Sequence, residues 1–567
     1  MTERRFEGIG VTPLSGVGNV VWYAPDADLD DPPDPSEVDA DAETARFEEA
    51  RDAAREELER ERERTAERVG EDEAAVFDAH VQFLDDPQIT DGVEEQIAEG
   101  LPAEHAVQRT FDRFVEQFEG MEGRMAERAD DLRDVRDRLV RVLSGGERVN
   151  LAELEKGSVV FAERLTPSDT AQLDPERVAG FVTVTGGRTS HAAIFARSLA
   201  LPAVVGVGEE LNEVEDGAEV VVDGTDGEVI VDPAEETRKA AAEEEEAEIR
   251  SEPVATADGV EIEVAGNVGT AADLGPAADR GADGIGLFRT EFLFLDRQSP
   301  PDEEEQYETY VDALETFSDG RVVVRTLDVG GDKPIDYLDL PDEENPFLGE
   351  RGIRRSLGPD SDLFETQLRA LLRAAASDAG GDLAVMLPLV STVEEVTAAR
   401  ERLELFADDL EREGIDYALP EFGVMVETPA AAFMAEDLTS QVDFFSIGTN
   451  DLAQYVMAAE RGNERVAELG DYTQPAVLRA IRATVEAAEG TDVWVGMCGE
   501  MAGDPDLTEL LLGLGLDELS MSAVTVPQVK QAVTETDTGD ARKLAEKALS
   551  AGTKDEVRRV LTENTKS

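Results

Sequence analysis

VVVRTLDVG, residues 322–330, opens as an apolar strand and closes on charge. Its neighbours in the chain repeat the form. VEIEVAGNV (260–268) and GIGLFRT (284–290) come before it, and LAVMLPLV (383–390), FGVMVET (422–428), FFSIGTN (444–450), VWVGMCG (493–499) and DELSMS (517–522) follow. Most of the gaps between these eight strand-like runs are long enough for a helix. Strand and helix alternating eight times indicate a (β/α)8 barrel, here over residues 259–567. Several gaps are longer than one helix needs, so insertions in the barrel loops are expected.

In such barrels the reactive groups sit at the C-terminal strand ends. Here those ends are polar. The second run ends in Arg289 and the third in Arg325-Thr326-Leu327-Asp328. The fifth ends in Glu427, the sixth in Asn450-Asp451 and the seventh in Cys498-Gly499-Glu500. Buried charge is costly unless paired. Arginines and carboxylates meeting at one mouth therefore suggest an anion held with a divalent cation. Arg289 and Arg325 suit a phosphate or carboxylate; Glu427 and Asp451 suit Mg2+, which takes oxygen ligands. Structural ion pairing is the competing explanation, and Arg325 with Asp328 is the simplest such pair. Cys498 reads either as an inert core residue or as a thiol that gives or takes a proton at carbon. The barrel holds no histidine, so the usual general acid is absent there.

The three histidines lie earlier in the chain. His80 and His105 sit in helical sequence and read as surface or packing residues. His191 follows the strand-like FVTV and the turn Gly186-Gly187-Arg188-Thr189-Ser190, and precedes the helical AAIFARSLA. A glycine-rich turn into a helix N-terminus offers N–H groups and a favourable dipole to phosphate. Thr189, Ser190 and Thr170 are candidates for orienting the ring or the phosphate. A neutral imidazole attacks phosphorus without first losing a proton, so His191 reads as a nucleophile that takes up a phosphoryl group and passes it on.

Residues 6–23 read as a short strand pair with glycine turns. The acidic, proline-rich DDPPDP (30–35) breaks the chain, and Ser36 with Asp39 opens a helix. Helical spacing then runs to about 143: Val107, Phe111, Phe114 and Phe118 form one stripe, and Leu132, Val135, Leu139 and Val142 another. From 148 to 232 the period returns to that of strands. The strands at 6–23 lack partners of their own and are expected to pair with this block. The predicted organisation is a small α/β phosphohistidine domain (1–25 and 148–232) with an inserted all-helical domain (26–147). A solvent-exposed helical linker over 233–258 joins it to the barrel.

The chain has 567 residues, eight lysines against 44 arginines, and a net charge of −77. Such a charge repels nucleic acid and anionic membranes. At about 1 M salt the Debye length falls to roughly 3 Å, which makes the acidity an adaptation to molar salt. An acidic partner-binding or disordered chain is the alternative, and the regular apolar patterning speaks against disorder. The apolar runs are strand-sized, so no membrane insertion is expected. The start MTERRFEGIGV lacks a signal-peptide core, and the single cysteine excludes an intramolecular disulfide framework. A cytoplasmic protein is expected.

Nine strings carry a resemblance. In chain order they are LTPSDTAQL, GGRTSHAAIFARSLALPAVVG, GLFRTEFLF, RTLDVGGDKP, NPFLGERGIR, VMVETPAA, FFSIGTNDLAQY, RGNE and GMCGEMAGDP. Together they resemble, nearly end to end, the phosphoenolpyruvate–protein phosphotransferases, enzyme I of the sugar phosphotransferase system, in a halophilic version. The resemblance implies that His191 is phosphorylated from phosphoenolpyruvate. It implies that Arg289, Arg325, Arg351, Asn450, Asp451 and Arg461 bind substrate, that Glu427 and Asp451 hold Mg2+, and that Cys498 protonates the enolpyruvate carbon. It further implies that the helical insertion docks the phosphocarrier protein HPr and that the barrel forms a homodimer. Where the family has an aromatic or aliphatic residue before Arg351 and alanine after it, Glu350 and Gly352 stand here. Glu350 is expected to compete for the guanidinium. Two other functions were weighed: a dikinase- or synthase-like phosphotransferase, which needs a nucleotide-binding domain before the histidine domain, and a non-catalytic phosphoenolpyruvate sensor, for which an intact His191–Cys498–metal set has no use.

Overall fold

A computed structural model describes the chain apart from residues 1–2, 13, 24–28, 30–31, 34, 69–70, 120–123, 145–150, 152–153, 171, 176, 188–190, 200, 225–226, 236, 240, 242–246, 296, 332–334, 336, 339, 342, 380–381, 461–462, 464–465 and 565–567, and apart from some side chains within helices, His191 among them. The chain divides into two compact units, residues 1–246 and 247–567.

The second unit is a closed barrel of eight parallel strands: Glu261–Val268, Ile285–Arg289, Val322–Arg325, Leu383–Leu387, Glu421–Val426, Phe444–Ile447, Trp494–Met497 and Glu518–Met521. The first strand pairs with both the second and the eighth, which closes the ring. Every expected run contains one of these strands, but all except the first stop earlier than their runs. The third ends at Arg325, and Thr326–Gly330 leave the sheet. The sixth ends at Ile447, and a helix takes over at Thr449.

Helices cover the barrel because their apolar faces repeat at helical spacing. In Val393–Glu413 the buried residues are Val396, Ala399, Leu403, Phe406, Ala407 and Leu410. Thr392 caps its start by accepting from the Glu395 N–H, and Gly414 ends it at φ 74°, a left-handed turn that favours glycine. Truncating a fully buried leucine such as Leu410 to alanine costs about 2–5 kcal/mol. Inside the barrel a separate cluster joins Leu287, Val323, Ala384, Met386, Met425, Phe444 and Cys498.

The first unit carries an eight-stranded sheet in the order Arg4–Glu7, Glu228–Val231, Glu219–Asp223, Ser15–Tyr23, Ser158–Ala162, Val178–Thr183, Ala203–Val205, Ile9–Gly10. The strands at the start of the chain pair with the 148–232 block as expected, but they are three rather than two, bound to residues 158–162, 203–205 and 219–231. The physical reason is in GIGV and SGVG. At Gly10, Gly16 and Gly18 a Cβ would stand about 2 Å from the carbonyl oxygens of Gly224, Ala179 and Gly157, so these glycines admit distant chain.

Between Tyr23 and Ser158 five helices span Ala40–Arg68, Glu71–Asp85, Pro87–Ala98, Ala103–Glu119 and Arg124–Ser144. Phe47, Leu58, Phe77, Val93, Phe111, Leu132, Val135 and Leu139 fill their core. His80 lies fully buried in it, Nε2 3.4 Å from Asp131 and Nδ1 3.6 Å from Asp134. Asp134 accepts from the Ser168 N–H, and Arg138 donates to the Ser168 hydroxyl, which ties the insertion to the α/β domain.

The stretch 233–258 departs from an exposed helix at both ends. Ala241 is buried with Val221 and Ile230 of the first unit. In the second unit, Val254–Ala255 is a strand paired with Glu261–Ile262, and the buried Lys530 ammonium donates to the carbonyls of Arg250 and Glu252 and to Asp283.

Candidate active site

Successive strand residues point to opposite faces. Val322 and Val324 pack outward in the large core, while Val323 faces the barrel interior. Arg325 shares the parity of Val323, and so points inward at the strand's end. The same count places Arg289 two residues beyond inward Leu287, Glu427 two beyond Met425, and Cys498 four beyond Trp494. Arg289 and Arg325 are register partners on adjacent strands, so two guanidinium groups rise side by side. Arg289 is half-buried and, among the described residues, makes no ion pair. Arg325 is 6 % exposed, with Nη2 2.6 Å from Glu291 and Nη1 3.2 Å from Asp328.

The carboxylates lie opposite. Glu427 is 2 % exposed and accepts from the Leu389 N–H at 2.5 Å. Leu389 holds φ 54°, a strained turn for a branched residue, and this turn aims its N–H at the carboxylate. Burial, followed by the charges of Asp451 and Asp328, pushes Glu427 up to about 8, while Arg325 pulls the other way. Asn450 and Asp451 occupy the first turn of helix Thr449–Met457, and the Asn450 side chain accepts from the Glu500 N–H at 3.1 Å.

Cys498 follows the seventh strand, 3 % exposed, with Sγ 3.9 Å from the Ile447 carbonyl. Burial pushes its thiol up to about 11, so near neutral pH it carries a proton to give. Asn267 donates to the Cys498 carbonyl at 3.0 Å and accepts from Ser520. Gly499 is a glycine because a Cβ there would collide with Thr449.

Arg351 is 4 % exposed and stacks 5.3 Å from the Phe347 ring. The expected competition from Glu350 does not occur: Glu350 pairs with Arg355 at 3.3 Å, and Arg351 pairs with Asp328 at 3.2 Å. Gly352 makes the turn at φ 55°, and a Cβ on it would lie 3.4 Å from Asp328. Sequence reading missed Glu291, Asn267 and the Leu389 N–H. A polar Asn267 near the end of an apolar strand was a signal; the other two act across strands and left none. Arg461 lies outside the described residues.

In the first unit His191 begins helix His191–Leu199, after the strand Val178–Thr183 and a turn with Gly186 at φ 131°. Arg188, Thr189 and Ser190 lie outside the described residues. Helix Pro167–Thr170 packs against the His191 helix. It is held by Asp169, which accepts from the Tyr23 hydroxyl at 2.6 Å and from Thr166. Thr170 is fully buried, its hydroxyl donating to the Thr166 carbonyl.

Among the described residues no three histidine, cysteine or acidic side chains converge as a metal cage. Glu427 and Asp451 still fit Mg2+, which commonly takes one or two carboxylates plus substrate phosphates and water. The mutual charge that lifts Glu427 is what a cation would relieve.

Three family descriptions match in chain order. Residues 7–128 match "PEP-utilising enzyme, N-terminal", 154–227 match "PEP-utilising enzyme, mobile domain", and 243–538 match "PEP-utilising enzyme, PEP-binding domain". A phosphoenolpyruvate-protein phosphotransferase of Haloferax volcanii is 78 % identical over 99 % of this chain and 100 % of its own. Proteins of the same description are 47 % identical in a Bacillus strain, over 92 % of this chain and 91 % of theirs, and 44 % identical in Staphylococcus carnosus, over 98 % and 99 %.

Proposed function

The chain belongs to the phosphoenolpyruvate-utilising enzymes, and on that premise we propose that it moves the phosphoryl group of phosphoenolpyruvate to its own His191. From there the group passes to the histidine of the phosphocarrier HPr, and pyruvate is released. One observation carries this reading: at the mouth of a barrel without histidine, two level arginines face two carboxylates and a protonated thiol. Such a site can hold phosphoenolpyruvate and protonate its carbon, but it has no nucleophile. The acceptor therefore lies outside it, at His191.

Arg289, Arg325, Arg351, Asn450 and Arg461 bind the substrate's anionic groups. Glu427 and Asp451 would hold Mg2+, which would supply positive charge near the phosphoryl group. The His191 imidazole forms the N–P bond as the bridging O–P bond breaks, with the arginines balancing charge on the group in flight. The electron pair stays on the enolate oxygen. Cys498 then gives its proton to the methylene carbon, yielding pyruvate, and the thiolate is reprotonated from solvent.

His191 must meet both the barrel and HPr, which binds the helical insertion. The 6–232 region is taken to swing about the linker near 233–258. The barrel pairs with a second copy of itself. Phe433, 83 % exposed beside Met434, supports an apolar face of this kind. The protein works in a salt-rich cytoplasm, where its charge is screened; among the described residues no helix is long and apolar enough to cross a membrane.

The test is incubation with Mg2+ and phosphate-labelled phosphoenolpyruvate in molar salt, with and without HPr. Label is expected on the wild type and, after transfer, on HPr. Label retained by His191→Ala, or no pyruvate from the wild type, overturns the reading.

A further inference from the structure

Three buried groups beside the substrate arginines have no part in the chemistry above. Glu291 is 3 % exposed and Asp328 2 %. Both are linked to the arginines in one line. Glu291 Oε1 lies 2.6 Å from Arg325 Nη2. Arg325 Nη1 lies 3.2 Å from Asp328 Oδ2. Both Asp328 oxygens lie 3.2 Å from Arg351 Nη2, and Oδ1 lies 3.4 Å from Arg351 Nε. The third group, Thr290, donates its hydroxyl to the Arg325 carbonyl at 2.8 Å. The turn after the second strand thus grips the third strand's arginine twice, once at its main chain and once at its guanidinium.

We propose that Glu291 and Asp328 are positioning residues which set Arg325 and Arg351 as one rigid, doubly cationic grip for the dianionic phosphate end of phosphoenolpyruvate. This rests on the function proposed above. The physical need is plain: Arg325 has Arg289 level with it on one side and Arg351 across Asp328 on the other. Like charges this close in a buried site repel. Each arginine also has long rotamer freedom that substrate binding would have to quench. Glu291 and Asp328 hold the guanidinium edges turned away from the substrate, so the remaining N–H groups converge before it arrives. Gly352 belongs to the same device, since its left-handed turn and missing Cβ bring Arg351 onto Asp328.

The geometry makes an asymmetric forecast. Among the described residues Glu291 pairs with Arg325, whereas Asp328 pairs with both arginines. Glu291→Gln and Asp328→Asn are each expected to raise the KM for phosphoenolpyruvate about tenfold, with kcat changed less. In an Arg325→Gln background Glu291→Gln should add less than it does in the wild type, while Asp328→Asn should still weaken binding through Arg351. Phosphoenolpyruvate affinity, measured by calorimetry on the full chain carrying His191→Ala, reads the same cycle without turnover. A general packing role would instead lower the unfolding temperature, leave KM in place and be indifferent to Arg325. An undiminished Glu291→Gln effect in the Arg325→Gln background, or an unchanged KM, overturns the proposal. If Glu291→Gln fails to fold, Glu291→Asp keeps the charge on a shorter arm and is expected to raise KM by the same route; an unchanged KM there also overturns it. A wild type that transfers no label from phosphoenolpyruvate would sink the function itself, whereas active wild type with indifferent variants would sink only this inference.

Discussion

The two ends of the barrel are built from the same strands and do opposite things. The first, third, fifth and seventh strands carry Glu263, Arg321, Glu421 and Trp494 at or near their starts, and Asn267, Arg325, Glu427 and Cys498 at or just past their ends. At the bottom one arginine serves several carboxylates: Arg321 lies 2.7 Å from Glu263, 3.4 Å from Glu421 and 3.8 Å from Glu518. Trp494 closes that layer, 4.1 Å under the Arg321 guanidinium, stacked 4.5 Å from Phe444 and donating to Glu421. At the top three arginines, Arg289, Arg325 and Arg351, stand among Glu291, Asp328, Glu427 and Asp451, and Arg289 is left without an ion pair among the described residues. Charge at a barrel end therefore signals function where it leaves a cation without an ion pair among the described residues. The lower plug is gathered around its own arginine; the upper layer leaves a cation for a ligand.

The sharpest way to break the contrast is to neutralise the third strand's arginine at either end. Arg321→Gln is expected to cost about 1 kcal/mol by taking the cation from the partly exposed Glu263 and Glu421, with the KM of the folded enzyme unchanged, as urea unfolding and initial rates would show. Arg325→Gln should instead cut kcat/KM by roughly 10²–10³ through lost charge stabilisation. If Arg321→Gln raised KM as much as Arg325→Gln, the division into plug and site would fail.

The seventh strand gives the next test. Cys498→Ala should slow pyruvate formation by about 10²-fold or more while His191 still becomes labelled, which rapid-quench sampling separates. With the thiol pushed up to about 11, wild-type pyruvate release should show no thiol ionisation between pH 7 and 9. Trp494→Phe, its counterpart below, should leave both rates alone and cost about 1 kcal/mol for one hydrogen bond and part of a stack.

Glu518 sharpens the comparison through pH. It is 1 % exposed, neither oxygen has a hydrogen-bond partner among the described residues, and burial holds its carboxyl well above the ordinary range. Above the usual carboxylate pKa the unfolded chain has lost this proton and the folded chain keeps it. Stability contributed by the group is thus full at low pH and falls as pH rises toward the folded value, by about 1.4 kcal/mol per unit. Glu518→Gln should remove this slope, so the variant gains on the wild type from about pH 5 upward in paired denaturation series. Parallel curves would show that Glu518 is not held protonated.

Much of this was legible in the chain. Short apolar runs separated by helix-length gaps marked all eight barrel strands, and the polar residues closing them named Arg289, Arg325, Glu427, Asp451 and Cys498 as candidates. The strand ends were misjudged because an apolar run does not say where hydrogen bonding stops: Thr326–Gly330 and Thr449-Asn450 look strand-like, yet leave the sheet. Glu291 was passed over because its partner, Arg325, stands 34 residues away on another strand. Glu350 misled for the same reason, since adjacency in sequence suggested a contact that the Gly352 turn prevents.

Sequence by itself determined which groups exist and their strand order: an acidic chain, one thiol, no barrel histidine and eight strand–helix repeats, all encoded in residue type and local period. Only the tertiary structure decided which charge answers which. Closing the barrel puts Arg289 level with Arg325, gives Asp328 to Arg351 rather than leaving that arginine to Glu350, and separates a sealed lower layer from an open upper one. Pairing energies depend on distance and burial, and neither is written along the chain.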